Sequence, residues 1–264
     1  MDKNYRALLD EFYYQQGIHP LSFKCKHQKY CRQYAQNGKM TETKMSMVGS
    51  KYGIQFPKII VVSLDPPSGI RSDGNPRWHF NSPKKRTTEH VSSTHEKDNY
   101  NMDRPNPHWA MTQIVVKEIL EMWGYKAQPN SAVVLESYSG RPIENVSAFF
   151  AHVNVAKCSM NNEGQRQANS FVHNTCSQSY LLKELTFLGP DMLITQGATT
   201  NKILGKMFIN KEVSVSELPM HKFLDVGSNK CLWLPMHHPT QQINKIRDAW
   251  SYYLKVLKHW KIKN

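Results

Sequence analysis

The 264-residue chain contains no run of about 18 apolar residues, so a hydrophobic membrane-spanning helix is not expected. Residues Met1 to Glu11 are charged from the second position and hold no apolar core. No secretory leader is therefore expected, and a cytoplasmic location is the default. Acidic residues are in short supply: 21 Asp and Glu stand against 34 Lys and Arg, a formal charge of +13. A balance this positive fits a polyanionic partner, nucleic acid above all. The excess is spread along the chain rather than gathered in a tail, which favours a folded binding face. No internal repeat is visible. With 39% hydrophobic and 21% charged residues, the chain can bury a core as one domain, Met1 to Asn264.

Cysteine is also scarce. There are five, and an odd number without a leader argues against a disulfide framework. Four fall into two pairs, Cys25 with Cys31 and Cys158 with Cys176, as metal-binding or redox cysteines do. Lys24, Lys26, Lys29 and Arg32 flank the first pair, and neighbouring positive charge is expected to lower a thiol pKa. Cys231 sits in an apolar strand pattern and reads as core.

Apolar positions at helical spacing predict helices over Lys3–Gln16, His108–Gly124, about Gln178–Leu188 and Gln241–Trp260. In the second of these, Ile114, Val115, Ile119, Leu120 and Trp123 fall on or near one face. Short β-branched runs predict strands over Lys58–Ser63, Val146–Val155, Asp191–Thr195 and Cys231–Pro235. Residues 70–107 are polar and poorly periodic, and read as an insertion on the substrate side that orders with its ligand. The alternation predicts a three-layer α/β/α sandwich around a central, mainly parallel four-stranded sheet.

Ligands of such sheets bind outside the carboxyl ends of the strands. Three polar residues fall there: Asp65, Asn154 and His238. An acid, a carboxamide and an imidazole at one sheet mouth suit a hydrolytic or base-reading site. A two-metal nuclease would need clustered carboxylates, and the strand ends offer only Asp65.

The order of motifs resembles the uracil-DNA glycosylase superfamily, most closely its iron–sulfur branch. The resemblance runs through Leu64-Asp65-Pro66-Pro67-Ser68-Gly69, Asn154-Val155-Ala156-Lys157-Cys158, and Cys176 before Tyr180-Leu181-Leu182-Lys183-Glu184-Leu185. It continues in Gly189-Pro190-Asp191-Met192-Leu193-Ile194 with Gly197-Ala198, and in His238-Pro239-Thr240. Two features differ from that branch. Five residues separate Cys25 from Cys31 where the branch has Cys-x-x-Cys, and the first motif carries Asp65-Pro66 where it has Gly-Glu-Ala-Pro.

The resemblance implies a monomeric DNA glycosylase that flips a base from DNA and hydrolyses its N-glycosidic bond. The base would be uracil or a modified pyrimidine, in repair or in defence against phage DNA. It implies Asp65 and His238 as catalytic residues, and Asn154 with Trp78 or Phe80 as the base-recognition set. Thr240, Gln241 and Gln242 would contact DNA, and Cys25, Cys31, Cys158 and Cys176 would hold a [4Fe–4S] cluster, with zinc as the alternative. A non-catalytic iron–sulfur relative that binds nucleic acid is the alternative function.

Overall fold

The computed structural model describes residues 4–35, 40–54, 56–66, 82–97, 107–125, 127–128, 144–160, 168–239 and 243–263. Its helices are α1 (Tyr5–Gln15), α2 (Gln28–Cys31), α3 (Thr88–Lys97), α4 (Pro107–Met122), α5 (Ser170–Cys176), α6 (Leu182–Leu188), α7 (Ala198–Ile209) and α8 (Ile243–Lys263). Its strands are β1 (Met47–Val48), β2 (Ile59–Ser63), β3 (Ala127–Gln128), β4 (Glu144–Asn145), β5 (Phe150–Asn154), β6 (Met192–Gln196), β7 (Lys222–Val226) and β8 (Asn229–Met236). No helix among the described residues is long and apolar enough to cross a membrane.

The main sheet has the order β1-β5-β2-β6-β8-β7, and β3 pairs with β4 separately. The four inner strands, β5, β2, β6 and β8, are mutually parallel, as the sequence predicts. Two antiparallel edge strands extend the expected four to six. β1 is two residues long and β7 has three exposed positions of five, so neither carries the apolar run that marked the others.

Side chains alternate across the inner strands, and each face buries its own core. Ile60, Val62, Ala151, Val153, Leu193 and Trp233 pack with Leu9 and Tyr13 of α1 and with the chain from Val172 to Leu188. Ile59, Val61, Phe150, Ile194 and Leu234 pack on the other face with Val116, Ile119 and Leu120 of α4 and with Tyr253 and Leu257 of α8. Each fully buried side chain of this size contributes about 1.5–3 kcal/mol against exposure. Ile114 points outward and is 40% exposed, so the buried stripe of α4 runs through Val115 and Val116 instead.

Three other elements differ from expectation. The stretch foreseen as a strand over Val146–Val155 opens with a 3-10 turn, Val146–Ala148, before β5. The helix expected from Gln178 starts earlier, at Ser170, and passes through a π-helical turn, Ser177–Leu181, into α6. Asn169 caps it by accepting from the Phe171 and Val172 amides, and Gly189 ends it in the left-handed region at φ 59°.

The polar stretch read as a ligand-ordered loop is in part folded. A 3-10 turn spans Pro83–Arg86, and α3 docks on the sheet edge. Ser92 Oγ accepts from the Val48 amide at 2.9 Å, and buried Arg86 pairs with Glu42 at 2.5 Å. The inward face of α3 includes Thr88, Val91 and Ser92, which hydrophobic periodicity cannot detect.

Candidate active site

The parallel pairing of β2 with β5 continues past both strand ends. The Val155 amide donates to Ser63 O and the Ala156 amide to Leu64 O, each at 2.9 Å. This holds Asn154 beside Ser63 and brings the following loop along Asp65. Asn154 is 5% exposed, and its carboxamide makes no hydrogen bond among the described residues. At 5% exposure the amide keeps slight access at the mouth, where its unused donors and acceptor can meet a ligand.

Asp65 is held at both oxygens. His173 Nε2 lies 2.7 Å from Oδ1, and the Ala168 amide donates to Oδ2 at 2.9 Å. Each carboxylate oxygen retains a further lone pair, so Asp65 is fixed in orientation and still able to accept from a water. His173 is 3% exposed and lies on α5, one turn before Cys176.

A polar chain underlies the mouth. Ser63 Oγ lies 2.8 Å from His152 Nε2 and donates to Gln196 Oε1 at 3.1 Å. Gln196 Nε2 donates in turn to Thr112 Oγ1 of α4 at 2.7 Å. On the far side, the carbonyl of Met236 accepts from Asn201 Nδ2 at 3.1 Å and from the Gly197 amide at 3.0 Å. That pins the end of β8 and with it the half-buried His238. Gly197, at φ 97°, lies under the imidazole: a Cβ there would sit 3.5 Å from His238 Cδ2. Burial lowers the His238 pKa below the ordinary imidazole value, so the ring is neutral at pH 7.

The four paired cysteines converge. Cys25, Cys31, Cys158 and Cys176 all line one small cavity, partly open to solvent and walled by Ile18, Phe23, Met160 and Val172. None of the five cysteines is in a disulfide, and Cys231 is core as expected. The Tyr180 hydroxyl, from the π-helical turn, lies 3.2 Å from Cys25 Sγ, and Thr43 Oγ1 lies 3.8 Å from Cys158 Sγ. Among the described residues, no three His, Cys, Asp or Glu side chains close on a point as the ligands of a single ion do.

The thiol chemistry departs from the expectation raised by the basic flank. Burial, with Cys25 adding to it, pushes the Cys31 thiol up to about 11. Burial pushes Cys176 up to about 12, against the opposing pull of the Lys157 amide and ammonium. Cys158 is raised as well, by burial first and then by Cys176. Lys24, Lys26, Lys29 and Arg32 are exposed, where water screens them, so desolvation dominates.

Lys157 connects the cavity to the sheet mouth. It is 2% exposed, lines the cavity, donates to Asn154 O at 2.7 Å and pairs with Glu184, which is fully buried. Glu184 Oε1 also accepts from Tyr13 at 2.5 Å and from Ser46 at 2.6 Å. Lys157 and Glu184 are visible in the motifs, but their pairing is not. His173 went unrecognised, and the one local signal for it is its i, i+3 spacing from Cys176. The predicted Trp78, Phe80, Thr240, Gln241 and Gln242 lie outside the described residues. No protein-family model matches the chain, and no curated protein matches it either.

Proposed function

We propose that the protein is a DNA glycosylase that accepts a flipped pyrimidine, uracil or a modified base, at the mouth of β5, β2, β6 and β8. The observation that carries this reading is Asn154 at the end of β5, whose carboxamide makes no hydrogen bond among the described residues. An amide both donates and accepts, so it can read a pyrimidine edge. Flipping costs a few kcal/mol, and a surface of net charge +13 opposes that cost by gripping phosphates.

Cleavage leaves positive charge on the sugar and negative charge on the departing base. Neutral His238 would donate a hydrogen bond to the base oxygen as the anion forms. Asp65, fixed by His173 and the Ala168 amide, would orient the water that attacks the sugar carbon. The water oxygen forms the new bond to that carbon and gives a proton to Asp65, while the carbon–nitrogen bond breaks and the base leaves with the bonding pair as an anion that solvent then protonates.

The convergence of the four cysteines supports a [4Fe–4S] cluster as the resident group, with zinc as the alternative. Four thiols around a shared cavity suit a cluster in which each sulfur takes its own iron. The cluster's role would be structural, tying the segment carrying Cys25 and Cys31 to the loop that carries Asn154.

The test uses oligonucleotides bearing uracil, hypoxanthine or bulky modified cytosines, with abasic sites scored by alkali cleavage. Product from the wild type that is lost in Asp65→Asn and His238→Ala supports the proposal. No product on any substrate from folded, iron-loaded protein sinks it in favour of a non-catalytic nucleic-acid-binding role.

A further inference from the structure

The segment that supplies Cys25 and Cys31 carries an outer surface that the proposed chemistry does not use. From Gly17 to Thr41 the chain has no Asp or Glu. Lys24, Lys26, Lys29 and Arg32 are all exposed, and none forms an ion pair among the described residues. Aromatic rings stand among these cations. Tyr30 is 55% exposed and Tyr34 38%. Tyr34 lies against Phe171, itself 39% exposed, with ring centroids 5.1 Å apart and planes tilted by 33°.

Phe171 places this surface next to the candidate site. It lies on α5 two residues before His173, and residues at that spacing face different ways. His173 turns inward to Asp65 while Phe171 turns out to Tyr34. Exposed rings are expensive to keep in water, and four exposed cations interleaved with Tyr30 and Tyr34 in sequence, without an ion pair among the described residues, ask for an anionic partner with flat apolar faces. Unpaired nucleotides have both properties. A duplex offers the phosphates but hides the base faces in its stack.

We propose that the face formed by Tyr30, Tyr34 and Phe171 with Lys24, Lys26, Lys29 and Arg32 is a platform for single-stranded DNA. Unpaired bases next to the excised nucleotide stack on the rings, and their phosphates meet the four cations. This placement beside the excised base rests on the glycosylase reading, but single-strand binding by the platform does not.

The test is fluorescence anisotropy of the full chain, cysteine site loaded, with a labelled single strand of about 12 nucleotides, within the usual site size. Tyr34→Ala/Phe171→Ala is expected to weaken binding about tenfold or more, with the salt dependence unchanged. Lys24→Gln/Lys26→Gln/Lys29→Gln/Arg32→Gln is expected to flatten the slope of log K against log salt by about 3. Tyr34→Phe/Phe171→Tyr keeps the rings and is expected to bind as wild type, which separates stacking from a folding defect. Wild-type affinity in both disruptive variants overturns the platform. Equal losses on single strand and duplex, or tighter binding of the matching RNA, overturn the assignment to single-stranded DNA. Binding that depends on the platform in a protein that forms no abasic site on any substrate leaves the platform standing and removes the glycosylase. Abasic-site formation with unchanged KM in both disruptive variants, on single-stranded and duplex substrates, removes the platform and leaves the glycosylase.

Discussion

His173 Nε2 lies 2.7 Å from Asp65 Oδ1, and His173 shares a seven-residue helix with Cys176. The helix that helps frame the cysteine cavity therefore also orients the acid at the sheet mouth. A rigid segment of this kind links two sites without either touching the other's ligand.

That linkage makes His173 a positioning residue. His173→Ala is expected to lower single-turnover excision about 100-fold, the scale of a 1 Å misplacement, with little change in KM. His173→Gln keeps a donor and is expected to recover part of the loss. Equal rates in all three proteins would show that Asp65 needs no support.

The buried pair Lys157–Glu184 should dominate stability in this region. Glu184→Ala strands a buried ammonium and deprives Tyr13 and Ser46 of their acceptor. The expected cost is about 3–5 kcal/mol by denaturant unfolding. Replacing both members with apolar residues of similar volume is expected to cost less than the single change.

Iron analysis and absorbance test the cysteine cavity. Protein purified without air is expected to be brown, absorb near about 400 nm and carry about four irons per chain. Cys176→Ser is expected to lose iron, and Cys231→Ser to keep it, because Cys231 lies in the core away from the cavity. Zinc in place of iron would reassign the site.

Acid should destabilise the fold through its histidines. Burial, the leading cause in each, holds His19, His95 and His238 below the ordinary imidazole value, His95 at about 3 with Lys44 adding to the effect. Below about pH 6.5 the unfolded chain takes up protons that these folded histidines refuse. Stability is therefore complete above that pH and falls as pH drops towards the folded pKa values. Urea midpoints are expected to decline from pH 7 to pH 5, less steeply in His95→Gln.

Much of this architecture is legible in residue order. Ile59 to Val62 form a β-branched run bounded by Pro66, and β6 and β8 are similarly apolar, so the parallel core declares itself. Asp65, Asn154 and His238 are findable because each follows such a run. Short-range pattern fails where burial is not apolar. α3 docks partly through Thr88 and Ser92, β1 is too short for any period, and Arg86 is buried with Glu42 paired to it.

The sequence by itself determined the layered fold, the strand ends that carry polar groups, and the choice of which cysteines pair. These follow from local composition and periodicity, which act over a few neighbouring residues. Tertiary structure alone decided that four cysteines up to 151 positions apart line one cavity, that His173 grips Asp65, and that Lys157 reaches Glu184. It also reversed the expected thiol shift at Cys31. Charge is set by neighbours in sequence, but desolvation is set by everything packed around the sulfur, and at Cys31 burial is the leading cause.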